Sequence, residues 1–234
     1  INHKSRLYRS KMPYAMFFSG GQAVHYSSDF ARRGWRGASH GCVNLRDKAV
    51  GIIGTGATGV QCIPQLAKDA GHLFVFQRTP SSVGVRGNAP TDLDWYASQE
   101  PGWQQKRMVN FVEHYRGLDP VDLIQDGWSQ LIHGMQRHGK PDMAPEDMAD
   151  LLQMVDMEIM EGVRKRVDSV VRDPTTAEAL KPWYDWLCKR PCFHDAYLDV
   201  FNQDNVTLVD TEGRGIDRIS GNVVVANGEE FELD

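Results

Sequence analysis

Ala49-Val50-Gly51-Ile52-Ile53-Gly54-Thr55-Gly56-Ala57-Thr58-Gly59 decides how this chain is read. Val50 to Ile53 is a short, mostly apolar run, the composition of a strand buried on both faces. It enters Gly54-x-Gly56-x-x-Gly59, after which Val60, Ile63, Pro64, Leu66 and Ala67 recur at helical spacing as far as Ala70-Gly71. Leu73-Phe74-Val75-Phe76 then reads as a second strand. A strand, glycine loop, helix and strand within about 30 residues form the context that makes a glycine pattern a dinucleotide fingerprint. Gly54 permits the tight turn, Gly56 lets the backbone approach a pyrophosphate, and Gly59 lets the helix pack on the strand. The helix N-terminus at Ala57 and Thr58 faces the negative charge.

The end of the second strand refines this reading. An NAD site carries Asp or Glu about 20 residues on, to hold the ribose 2′-hydroxyl. Here the strand ends Phe76-Gln77-Arg78-Thr79, with no acid. A guanidinium and a hydroxyl suit a 2′-phosphate, which favours NADP(H) over NAD.

The 234 residues suffice for one or two domains with a sizeable core. A hydrophobic fraction of 41% and a charged fraction of 24% are ordinary for a soluble globular protein. The expected location is cytoplasmic, or extracytoplasmic at the cell wall under the alternative reading of residues 1–46 given below. A net charge of −5 and a pI near 5.9 give no support for nucleic-acid binding. No apolar run is long enough to span a membrane as a helix. Ile1-Asn2-His3-Lys4 is neither a Met start nor a signal peptide, and suggests a fragment. The four cysteines are too few for a disulfide scaffold, and Cys188-x-x-x-Cys192 has no second pair for zinc.

Residues 1–48 are rich in Gly, Ser and aromatics and poor in helical periodicity, with a short strand expected at Gln22 to His25. They end in Ser39-His40-Gly41-Cys42-Val43-Asn44, with His25 upstream, a pattern that could pair a thiolate nucleophile with its base. Met12-Pro13-Tyr14, Gly20-Gly21-x-Ala23-Val24-His25 and this motif together resemble the catalytic segment of L,D-transpeptidases, enzymes that cross-link peptidoglycan in the cell wall. The resemblance covers residues 1–46 and implies Cys42 as nucleophile, His25 as base and backbone near His40 in the oxyanion hole. Tyr26 departs from the small residue usual there, and most of that family's β-sandwich is absent. A sheet fragment without partner strands buries no face, so this segment is expected to be inert. Phe18-x-Gly20-x-x-x-x-His25 also nearly matches the Phe-x-Gly-x-x-x-His-x-x-x-Trp fingerprint of Baeyer–Villiger monooxygenases. It has one residue too many, with Asp29 in place of Trp, and the transpeptidase origin accounts for more residues.

From a junction near residues 44–48, residues 47–234 resemble the NADPH-binding domain of Baeyer–Villiger and related flavin-containing monooxygenases. The carriers are Gly54-Thr55-Gly56-Ala57-Thr58-Gly59-Val60-Gln61, Phe76-Gln77-Arg78-Thr79-Pro80, and Lys189-Arg190-Pro191 followed by Asn205-Val206-Thr207-Leu208-Val209-Asp210. The resemblance implies an α/β, Rossmann-like NADP-binding domain with a helical insertion over about residues 92–187. In it Gly54 to Gly59 and Gln61 line the NADPH site, Arg78 and Thr79 read the 2′-phosphate and Lys189 assists. Arg190 is implied as catalytic, beside an anionic peroxyflavin formed on FAD, with a small-molecule ketone as substrate. No first GxGxxG precedes Gly54, so the FAD half is expected to be missing and the chain to be an inactive chimera or fragment. A plain NADP-binding module is the other alternative.

Helical patterns cover about residues 92–114, 121–136, 145–171 and 175–187. In the third, Met148, Leu151, Leu152, Val155, Ile159, Val163 and Val167 share one face. Met148, Met154, Met157 and Met160 read as packing, and Trp95, Trp103, Trp128, Trp183 and Trp186 as core or lid anchors. Arg164-Lys165-Arg166 reads as a solvated face. His194 to Leu198 reads as a short helix, with Lys189 and Arg190 emerging at a helix end. Asn227-Gly228 between Asn222–Ala226 and Glu229–Leu233 marks a hairpin.

Overall fold

The computed structural model describes residues 2–4, 11–13, 16–19, 22–24, 45–118 and 120–234. The chain divides into two compact units, residues 1–80, 171–179 and 196–234 in one and residues 81–170 and 180–195 in the other. The fold is mixed α/β.

In the first unit, β1 (Asn2–Lys4) pairs antiparallel with β2 (Lys11–Pro13), and β3 (Met16–Ser19) with β4 (Gln22–Val24). His25, His40 and Cys42 lie outside the described residues. β5 (Ala49–Ile53), α1 (Ala57–Leu66) and β6 (His72–Gln77) follow as expected, with β5 parallel to β6 and Ile53 opposite Phe76. β9 (Val206–Asp210) joins the free edge of β6 in parallel, so the order is β5-β6-β9. Side chains alternate along β6: Leu73 and Val75 face one way, Phe74 and Phe76 the other. Leu73 and Val75 are 0% exposed and Phe76 is 1% exposed, so both faces are covered, as a parallel strand requires.

The phenylalanine face packs on the antiparallel sheet β10 (Arg218–Ser220), β11 (Val223–Ala226) and β12 (Glu229–Glu232). Phe231 sets its ring edge-on to Phe74 and Phe76, each at 5.3 Å. Asn227 and Gly228 have φ of 55° and 77°, the left-handed pair that a two-residue type I′ turn needs. Asn205 Nδ2 donates to the carbonyls of Ala67 and Ala70, satisfying two acceptors at the end of α1.

The second unit pairs β7 (Val83–Gly84) in parallel with β8 (Cys192–Phe193) and holds α2 (Leu93–Ala97), α3 (Trp103–Tyr115), α4 (Gln130–His138) and α5 (Pro145–Val170). The pattern over 92–114 is two helices, because Gly102 enters α3 with φ of 88° after Pro101. The pattern over 121–136 turns helical only at Gly127, since Asp122 and Asp126 accept the N–H groups two residues on and hold the chain in turns. The pattern over 175–187 ends early: α6 (Pro174–Ala179), in the first unit, stops before Pro182, whose ring disfavours helix at Lys181.

Residues 194–198 form no helix. Asp195 instead accepts the N–H groups of Arg86, Gly87 and Asn88 at 2.8, 3.0 and 3.1 Å, and binds that loop. Those bonds, led by Gly87 and Asn88, hold its carboxyl below the usual range. Nor is Arg164-Lys165-Arg166 one solvated face. The half-buried Arg166 guanidinium donates to the carbonyls of Val83 and His194 at 2.6 and 3.0 Å. Of the four methionines only Met160 is buried, in a cluster with Leu131, Leu151, Val155 and Trp186. Trp183 is 69% exposed and stacks under Arg164, so it is no core anchor. No helix among the described residues is long and apolar enough to cross a membrane.

Candidate functional site

The glycine loop sits where β5 ends. Gly54 has φ of 98°, open only to glycine at little cost, and its N–H donates to the Phe76 carbonyl at 2.8 Å. Thr55 is 3% exposed. Its hydroxyl donates to the Thr79 carbonyl at 3.1 Å and lies 3.5 Å from Gln77 Oε1. The loop is therefore fastened to the end of β6, and Arg78 and Thr79 are brought beside it.

Gln77 is the joint of this corner. It is 0% exposed, and its Nε2 donates to the Ala179 carbonyl at 2.8 Å. Its own carbonyl accepts both the N–H and the hydroxyl of Thr211, each at 2.8 Å. Thr211 Oγ1 in turn accepts the Gly215 N–H at 2.9 Å. The carboxyl ends of β5, β6 and β9 are thus pinned together by buried bonds, which are costly to break. The sequence signal for Gln77 and Thr211 was weak: a polar residue closing an apolar strand, and a threonine after Asp210.

The two inner glycines differ. A Cβ at Gly59 would lie 2.4 Å from the Gly54 carbonyl oxygen, so close packing of α1 on the loop demands glycine there. A Cβ at Gly56 would meet nothing within 4 Å, and its φ of −69° suits any residue. Nothing in the chain's own packing requires Gly56; what it leaves is open space before the helix. α1 has no side-chain cap and no acid in its first turn. Val60 is the first residue whose N–H bonds back, to the Gly56 carbonyl. The N–H groups ahead of it and the positive end of the helix dipole are available to an anion. Thr58 and Gln61 are exposed on this turn and Ala57 is half-buried. Arg78 is exposed, its Cδ 4.0 Å from where a Cβ on Gly215 would stand. The corner has the parts to take a pyrophosphate at the helix and a phosphate at the guanidinium.

Lys189 and Arg190 belong to the second unit. They leave a single 3-10 turn, Trp186–Cys188, rather than an α-helix, and Lys189 is already extended. Pro182 ended the helix upstream, and Pro191 favours extended backbone at Arg190. Lys189 Nζ lies 4.8 Å over the Tyr184 ring, whose hydroxyl accepts the Ser82 N–H at 2.8 Å. Arg190 is exposed.

No family model matches the chain. It is 52% identical over 219 residues to neopentalenolactone D synthase of Streptomyces avermitilis, covering 92% of this chain and 37% of that protein. Other curated relatives are named Baeyer–Villiger monooxygenases. A polycyclic ketone monooxygenase from Thermothelomyces thermophila superposes with a TM-score of 0.69 at 43% identity, over 81% of this chain and 32% of that one. A structure described as an OTEMO complex with FAD and NADP gives a TM-score of 0.59 at 25% identity, over 100% of this chain and 44% of that one. The chain spans about a third of the length of the curated relatives it matches. A match confined to residues 47–234 would cover only about four-fifths of the chain, so the 92% match reaches into residues 1–46. Other relatives match over 81–84% of the chain, and nothing found supports a transpeptidase segment.

Proposed function

We propose that the chain is the NADPH-binding part of an FAD-dependent Baeyer–Villiger monooxygenase, and that the whole protein inserts oxygen into a small-molecule ketone. The observation that carries this is the glycine corner, in a chain about half identical to proteins of that kind. In this reading the fold is Rossmann-like, residues 47–234 form the NADP domain, and the helices between about 92 and 187 are an insertion.

Each residue of the corner has a task. The N–H groups of Ala57, Thr58 and Gly59 hold the pyrophosphate in the space that Gly56 leaves open, Gly54 and Thr55 shape the turn, and Gln61 borders it. Arg78 and the Thr79 hydroxyl hold the 2′-phosphate, the former through charge-assisted bonds. Gln77 and Thr211 keep β6 from shifting, so that Arg78 stays in place. For Lys189 and Arg190, in the second unit, the resemblance implies an added positive charge and a guanidinium that offsets negative charge developing during the reaction. When bound, the nicotinamide and flavin supply the hydride and oxygen chemistry. Residues 1–46 are read with the monooxygenase, in line with the reach of the 92% match and the near-fingerprint Phe18-x-Gly20-x-x-x-x-His25. The transpeptidase roles of Cys42, His25 and His40 are set aside.

Calorimetry tests the reading. One NADPH should bind per chain, more tightly than NADH. Absence of binding, or equal affinity for the two, would remove it.

A further inference from the structure

His114, Asp122 and His133 come together in the second unit although nothing in the sequence pairs them. His114 lies near the C-terminal end of α3, Asp122 in the loop that follows and His133 in the middle of α4. One ligand atom from each lies within 4.8 Å of the others. His114 is 1% exposed and Asp122 is 8% exposed. The two imidazole rings meet edge to face at 5.8 Å.

The carboxylate of Asp122 is held in a definite orientation. Its Oδ1 accepts the Ile124 N–H at 2.8 Å. That leaves Oδ2, which lies 3.1 Å from His133 Nε2 and yet accepts no aligned hydrogen bond among the described residues. A buried carboxylate oxygen left so is expensive unless another group meets it.

We propose that His114, Asp122 and His133 form a site for a divalent transition metal ion, best suited to Zn²⁺, that staples the end of α3, the loop after it and α4. Two imidazoles and a carboxylate are borderline donors that fit zinc, cobalt or nickel and not calcium or magnesium. Three protein ligands leave a fourth position for water, as in zinc sites that stay open on one side. The Ile124 N–H, bonded to Oδ1, orients the carboxylate from the outer shell. His133 also borders a cavity of about 460 Å³ together with Gln130, Gly134, Arg137 and Glu158. Because the ligands come from two helices and their connection, binding should stabilise the native chain by mass action.

The test uses the 234-residue chain, stripped of metal and titrated with Zn²⁺ near pH 7.5. Calorimetry should give one saturable site per chain. His133→Ala should weaken it by more than the roughly 10- to 100-fold typical of losing an outer-shell partner, and Asp122→Asn should weaken it as well. His133 is partly exposed, so its replacement should leave the circular dichroism spectrum unchanged. His138→Ala, which touches Glu158 rather than this cluster, should leave the affinity as it was. Cobalt(II) in place of zinc should show no thiolate charge-transfer band. No saturable site, an affinity unchanged in His133→Ala, or a thiolate band would each overturn the proposal.

Discussion

Gly56 and Gly59 are close in the sequence and should behave oppositely when changed to alanine. At Gly59 the added Cβ would stand 2.4 Å from the Gly54 carbonyl oxygen, and the next contact, at 3.3 Å, is again backbone of Gly54. Ordinary contacts need about an ångström more, and backbone cannot swing aside as a side-chain tip can. Either α1 lifts from β5 or the loop distorts, so Gly59→Ala should destabilise by the ~1–3 kcal/mol of an overpacked core. At about 2–4 °C per kcal/mol for a chain of this size, the midpoint should fall by several degrees. At Gly56 the same methyl meets nothing within 4 Å, at a φ that alanine adopts freely. The lower entropy of the unfolded chain favours alanine by about 0.4–1 kcal/mol, while its poor fit to an N-cap opposes this. Stability should therefore change little. The methyl would, however, fill the space that a pyrophosphate needs. NADPH affinity in Gly56→Ala should fall at least about tenfold, roughly 1.4 kcal/mol. Thermal unfolding and calorimetry on both variants separate the two effects. A Gly59→Ala protein as stable as the parent would refute the packing argument. A Gly56→Ala protein that binds NADPH like the parent would refute the placing of the ligand.

Other expectations are independent of this one. Arg78→Ala should erase the preference for NADPH over NADH, a loss of about 1.5–3 kcal/mol for a charge-assisted contact, and competitive calorimetry with both cofactors reads it directly. Asp195 has a folded-state pKa below its unfolded value, because backbone N–H groups bind its charged form. Its stabilising contribution is thus present above about pH 4 and lost as pH falls through the folded pKa. The parent should be more stable than Asp195→Asn at neutral pH and lose that margin in acid, and equal margins at pH 7 and pH 3 in thermal melts would contradict this. Arg190→Ala, placed in a full-length chain completed with the flanking regions of a matched relative, should abolish lactone formation from a ketone. NADPH binding should stay within about twofold of the parent; unaltered lactone formation would rule out the role given to Arg190.

Much of the first unit was legible in the sequence because its signals are local. Ala49 to Phe76 changes its apolar period from strand to helix and back, with glycines where the backbone must turn and close up. Asn227-Gly228 needed only its own two left-handed residues. Of the helical stretches found as periodicity, 145–171 matches α5, whereas 92–114, 121–136 and 175–187 were misjudged in extent, since Pro101, Gly102, Pro182 and the Asp122 and Asp126 turns cut patterns that side-chain period alone would continue.

What only the tertiary structure decided is where polar groups find partners far along the chain. Gln77 meets the Ala179 carbonyl 102 residues away and Thr211 134 residues away, yet in the sequence it merely ends an apolar strand. Asp195, read as a helix residue, binds a loop more than 100 residues upstream. Arg166, read as a solvated charge, is drawn between carbonyls of β7 and of the segment after β8. His114, Asp122 and His133 share no motif spacing, and only the folded course of α3, the loop after it and α4 makes them neighbours. Period and glycine placement act within a few residues and are written in the order of the chain. A buried hydrogen bond or a ligand cluster is chosen by which surfaces meet, and that choice is made only when the chain has folded.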